Sequence, residues 1–277
     1  MAIMILSFLA YVVSFVLKEP IWSNEPVSFN WNMVVLKWTI VNGLAAVPLL
    51  CILSFKLSDF AQQALAVLIY VIVGMNVAWI LLYPAPLVVQ KVNGATAVVL
   101  MLALAAHCAA LRRRGIPLVQ LDEATGVAYG RGTSLSWIVC YSVWNALFAG
   151  ANYSVSSAIQ VVLFWCLMVQ LYYESGQARP VEDYFFQARP IQLGVYIFMS
   201  SVCGQIPYFQ DATEVAEPLD GHPYYLFICW VNLGYGLLGL AWSVLSLADT
   251  SRPLRKFDSD SKDGAPSGER DERVLLS

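Results

Sequence analysis

The side chains best suited to chemistry in this chain are carboxylates that stand beside aromatic rings, and they form two sets. Asp211 and Glu214 belong to an acidic segment, 211–220, that contains no basic residue. Glu182 and Asp183 share a loop with Tyr172, Tyr173, Glu174, Arg179, Tyr184 and Arg189. A carboxylic acid against an apolar wall holds its proton, because burial raises its pKa. It can then serve as a general acid. Aromatic faces stabilise a passing cation by about 0.5–2 kcal/mol each. Acid and rings together suit proton-triggered chemistry on an apolar molecule. The plainer reading of the 172–189 set is a solvated surface of mixed charge; as an active-site cap, it would make Glu182 and Asp183 the acids instead.

Other chemistries lack their residues. The chain has six cysteines, at 51, 108, 140, 166, 203 and 229, all within apolar stretches. None forms a CxxC pair, so they read as small packing residues rather than metal ligands or disulfides. Two histidines, His107 and His222, are too few for a histidine-ligated di-iron site. No Gly-rich phosphate loop, nucleophile elbow or HExxH motif occurs. The sequence therefore assigns no cofactor and no metal, and a net charge of −3 suggests no nucleic-acid partner.

The elements that must position these groups are membrane spans. The chain is 58% hydrophobic and 13% charged, which excludes a soluble reading. At about 1.5 Å per residue, roughly 20 apolar residues cross a bilayer core. Eight stretches qualify, at 3–17, 33–55, 60–83, 95–111, 134–150, 154–173, 191–209 and 224–248. With the N-terminus in the cytosol, Lys56, Arg112, Arg113, Arg114, Arg131, Arg179, Arg189 and the basic tail fall inside. Lys18, Lys37 and Lys91 fall outside, as the positive-inside rule requires. The predicted fold is an all-α, polytopic bundle of about eight transmembrane helices over residues 1–250, with both termini cytosolic. If the first stretch were instead a cleaved signal, seven spans with the same sidedness would remain. Residues 251–277 are too polar to fold and form a disordered cytosolic tail. The loop 120–133 reads as a flexible connector.

Sidedness converts sequence position into depth. Asn42, Asn76, Asn145, Gln160, Gln205 and Asn232 all fall in the outer half of the membrane, and Trp79, Trp144, Tyr208, Trp230 and Tyr235 share that layer. Residues three apart, such as Asn76 and Trp79 or Asn232 and Tyr235, share a helix face. Interhelical amides commonly glue spans together, and aromatics commonly form interfacial belts. Taken as one layer they predict a chamber, with Asn76, Trp79, Trp144, Asn145, Gln205, Tyr208, Trp230, Asn232 and Tyr235 as its binding residues. Its mouth would lie under Asp211 and Glu214. Asn152-Tyr153-Ser154 is a glycosylation sequon on the predicted outer side. The tail ends in Asp271-Glu272-Arg273-Val274-Leu275-Leu276, which has the form of an acidic dileucine signal. These point to a multi-pass protein of the endoplasmic reticulum or another endomembrane.

The size, the run of spans, the Trp144-Asn145 and Trp230-Val231-Asn232 pairings and the polar tail resemble the small integral membrane terpene cyclases of fungal meroterpenoid pathways, particularly the ascofuranone-type group. The resemblance covers the bundle in outline. It implies acid-initiated, metal-independent cyclisation of an epoxidised or olefinic prenyl chain, with Asp211, Glu214, Glu182 and Asp183 as candidate acids and a hydrophobic small molecule as substrate. The competing expectation is a carrier or receptor for a small neutral or hydrophobic solute, using the same amides and rings.

Overall fold

The structure is a computed structural model that describes residues 47–82, 85, 87–122, 125–152, 159–177, 179–203 and 222–248. The predicted span 3–17, most of the span 33–55, the acidic segment 211–220 and the tail lie outside those residues. The described helices are α1 (Val47–Ser54), α2 (Asp59–Ala78), α3 (Val88–Arg113), α4 (Leu135–Asn152), α5 (Ile159–Glu174), α6 (Phe185–Cys203) and α7 (Pro223–Ala248). Two 3-10 turns join them: Trp79–Leu82 follows α2, and Val181–Tyr184 runs straight into α6.

Capping groups set several boundaries. Ser58 Oγ accepts the Ala61 N–H at the start of α2, and Ser134 Oγ accepts the Trp137 N–H at the start of α4. Helix α3 ends at Gly115, whose φ of 68° places it in the left-handed region. There Gly115 N–H donates to Arg112 and Ile116 N–H to Leu111, which closes the last turn.

Two sequence expectations are corrected here. The fold is mostly helical but not all-α. The predicted flexible connector 120–133 contains an antiparallel hairpin, β1 (Val119–Asp122) and β2 (Val127–Gly130), with Gln120 opposite Tyr129. Apolar residues at Val119, Val127 and Ala128 bury it, so it is part of the core. The second correction concerns Arg189. The seventh apolar stretch was predicted to begin at Ile191. Instead α6 begins at Phe185 and carries Pro190 within it. Arg189 is therefore not a loop charge but a helix residue, only 2% exposed.

Helix α7 lies along α3 and against α4; α3 also packs on α2 and α4, and α5 packs on α6. The start of α2, the end of α3, the hairpin and the end of α7 gather at one end of the bundle. Gln63 of α2 accepts the Leu118 N–H at 2.6 Å and donates to the Val119 carbonyl at 2.9 Å. Arg113 and Arg114 donate to the Leu247 and Ser246 carbonyls, which complements the negative end of α7.

Among the described residues three helices, α2, α3 and α7, are long and apolar enough to cross a membrane, and α4 and α5 contain shorter apolar runs. Helix α7 presents Phe227, Trp230, Val231, Leu238, Trp242 and Leu245 outward. An apolar face of that extent is unfavourable in water and ordinary in lipid.

The hairpin is held on both flanks. On α2, Tyr70 accepts the Gly132 N–H at 2.8 Å. On α6, Gln187 accepts the Ala128 N–H at 2.8 Å. Neither Gly130 nor Gly132 has room for a side chain. A Cβ on Gly130 would lie 2.1 Å from Phe186 Cβ, and one on Gly132 would lie 2.4 Å from the Tyr70 ring. Gly130→Ala and Gly132→Ala should each cost about 1–3 kcal/mol through overpacking. Gly234→Ala, where a methyl meets open space, should be neutral or stabilising. Thermal unfolding of the purified variants checks the contrast.

Candidate functional site

The 3-10 turn Val181–Tyr184 places Asp183 under the hairpin. Pro180 sets the turn, and its carbonyl accepts the Asp183 N–H at 3.1 Å. The side chain is 8% exposed. Burial lifts its carboxyl from the ordinary carboxylate range to about 6, against the opposing pull of Arg131; Glu182 adds to the rise and Arg179 opposes it. Burial likewise pulls Arg131 below its ordinary value, and Asp183 opposes that shift. At a pH just below neutral Asp183 therefore exists in both forms, which suits a proton donor.

Aromatic rings surround this turn. Tyr184 meets Tyr129 edge-on at 5.3 Å and Tyr172 at 5.9 Å, and its hydroxyl bonds that of Ser175. Tyr70, within electrostatic reach of Asp183, packs on Phe186 at 5.4 Å. Arg179 lies over the Tyr129 ring at 5.7 Å. Arg179 and Arg131 both donate to Gln120 Oε1, at 3.3 and 3.2 Å, so one β1 side chain holds both guanidinium groups near the acid.

Tyr70 also lines an apolar groove between α2 and α3. It has a volume of about 330 Å³, and its walls include Val67, Gly74, Met101, Leu104 and Cys108, with Arg112 at one end. That size falls within the usual range for small-molecule sites. Tyr70 thus touches both the groove and the surroundings of the acid.

Among the described residues, the predicted binding residues divide between the bundle interior and its outer face. Asn76 is half-buried on α2 and reaches toward the Tyr141 hydroxyl. Trp144 is buried, stacks on Phe148 at 5.5 Å and donates to the Asn93 carbonyl at 2.9 Å. Asn145 is buried with its Nδ2 unpaired. Asn232 is buried and donates to the Cys140 carbonyl at 3.2 Å, tying α7 to α4. Trp230 and Tyr235 instead face outward, 53% and 40% exposed. Of the predicted acids, Glu182 is half-buried beside Asp183. Asp211, Glu214, Gln205, Tyr208 and the Trp79 side chain lie outside the described residues.

Sequence reasoning missed a polar group deeper in the bundle. Arg189 lies beneath the rings of Tyr141 at 5.3 Å and Phe164 at 6.0 Å, and donates to Gln192. The signal was present: Pro180 followed by Glu182 and Asp183 is a helix-start pattern, and it would have put Arg189 one turn inside α6.

The chain was compared with known protein families, with curated proteins and with solved structures, and none of the three comparisons found a match.

The raised Asp183 pKa has a consequence for stability. The folded protein binds this proton more tightly than the unfolded chain, so the contribution is full below pH 4 and is lost as pH rises through about 6. Asp183→Asn should stabilise the protein at pH 7.5 by about 1–3 kcal/mol and flatten that part of its pH–stability curve. Thermal melts in detergent across pH 4–8 measure both effects.

Proposed function

We propose that this chain is a multi-pass membrane enzyme that cyclises a prenyl chain by protonating it, with Asp183 as the acid. The observation that carries this reading is a buried carboxyl, its pKa near 6, set among tyrosine rings at the end of a bundle with lipid-suited faces. The apolar groove beside Tyr70 offers a place for a hydrophobic chain. In the proposed membrane arrangement of eight spans, both termini and the hairpin end face the cytosol, in the endoplasmic reticulum or another endomembrane.

The chemistry balances without a cofactor. The Asp183 proton passes to an epoxide oxygen or an olefinic carbon of the substrate, and a carbocation forms. A neighbouring double bond attacks it, closing a ring, and loss of a C–H proton to the Asp183 carboxylate ends the sequence. The product is an isomer of the substrate. Arg131 and Arg179 stabilise the carboxylate while it lacks its proton. Tyrosine faces stabilise the cation.

Membranes from a yeast host expressing the chain, fed epoxidised prenyl aromatics, should yield a product of unchanged mass. Asp183→Asn should lower the rate by about 10²-fold or more, and the wild-type rate should fall as pH rises through about 6, where the acid form disappears. Loss that instead follows Asp211→Asn or Glu214→Gln would move the acid to the other face. Full activity in Asp183→Asn would end the assignment. Solute counterflow without any isomeric product would favour the carrier, a reading supported by the buried amides Asn145 and Asn232.

A further inference from the structure

We propose that the bundle interior around Arg189 is a binding site for the carboxylate group of a hydrophobic molecule. The site is separate from Asp183 and does not depend on the reaction assigned to it.

Arg189 is 2% exposed, at the level of the Tyr141 ring, about two turns into α4. A guanidinium carries five N–H donors and no acceptor. Among the described residues its hydrogen-bond partner is Gln192 Oε1, and no carboxylate lies within ion-pair distance. Burying an unpaired charge is costly, and cation–ring contacts recover only part of that cost.

The neighbours repeat the same shortage. Gln192 is fully buried and uses its oxygen on Arg189, which leaves its Nε2 without a partner. The Tyr141 hydroxyl faces both the Arg189 guanidinium and the Asn76 amide, yet forms no hydrogen bond of normal geometry. One turn along the same face of α4, Asn145 Nδ2 is also buried and unpaired. Each of these groups can donate, the Tyr141 hydroxyl is the one that can also accept, and the set contains no negative charge.

The composition of the set selects the ligand. One guanidinium balances one negative charge, and a neutral hydroxyl and amide can serve its second oxygen. That is the pattern for a carboxylate; a phosphate dianion would call for a second cation. Phe164, Phe185 and Trp144 close the surroundings with apolar surface. A carboxylate reaching this depth is best carried on an apolar body.

The test uses the full chain in lipid nanodiscs, with thermal unfolding and Trp fluorescence as readouts and oleate, oleyl alcohol, oleyl phosphate and acetate as probes. Saturable stabilisation by oleate, absent with oleyl alcohol and weaker with oleyl phosphate, is the expected result. Tyr141→Phe and Gln192→Leu keep side-chain size and should weaken oleate about tenfold each; Arg189→Gln should abolish the response. Competition by acetate would show that the site reads the carboxylate alone, and its failure that the apolar body is also required; both outcomes support the site. Equal stabilisation by oleate and oleyl alcohol would overturn the proposal. So would unchanged oleate affinity in the folded Tyr141→Phe and Gln192→Leu variants.

Discussion

The hairpin docked across the start of α6 is the contact on which the rest of the site depends. It turns a stretch that would otherwise be solvated into protein interior, from Asp183 through Arg189. Gln63 and Tyr70 hold it on α2, and Gln187 holds it on α6. Gly130 and Gly132 allow the backbone to approach the Phe186 and Tyr70 rings. Without that close approach water would reach Asp183, and its carboxyl would return to the ordinary range. The unusual chemistry of the acid therefore arises from backbone packing as much as from its charged neighbours.

The 3-10 turn and the helix that follows it carry two ionisable groups into the protein in different ways. Asp183 stays near the bundle end with two arginines in reach, and its proton can respond to pH. Arg189 lies deeper, under aromatic rings. Between them Phe185 contacts Trp137, Tyr141 and Phe164 edge-on at 5.7–5.9 Å. The ladder Trp137, Tyr141, Trp144 and Phe148 on α4 thus runs from the end that holds the acid toward the interior that holds Arg189. A cationic intermediate gains little from rings already facing Arg189, which is why the proposed reaction is placed at the Tyr184 and Tyr70 end.

Much of the architecture was legible in the sequence. Apolar runs marked α2, α4 and α7 closely, because a helix in a nonpolar setting must satisfy its own backbone and so follows hydrophobic length. Alternation of basic residues foretold which helix ends gather together. Two local signals were misread. Val119, Leu121, Val127 and Tyr129 alternate around a Gly-containing turn, which is a hairpin pattern, but the surrounding polar residues suggested a connector. Arg189 was assigned to the loop before a stretch predicted to begin at Ile191, although the helix begins upstream at Phe185.

The site was legible only in part. Asp183 was among the candidate acids, but depth estimated from span position could not tell which face of a helix looks inward. Trp230 and Tyr235 therefore face outward while Asn232, on the same helix, is buried. Arg189 and its unpaired neighbours could not be found by spacing, since their relationship spans α4 and α6. Only tertiary packing brings Tyr141 over Arg189.

The most direct test of this account is the protonation of Asp183 itself. Infrared difference spectra of the protein in nanodiscs, titrated from pH 4 to 8 and compared with Asp183→Asn, isolate its carboxyl band. The account predicts a protonated-acid band that disappears with a midpoint near 6 and is missing from the variant. A midpoint in the ordinary carboxylate range, near 4, would mean that water reaches the acid, and would contradict both the buried site and the proton donor built on it.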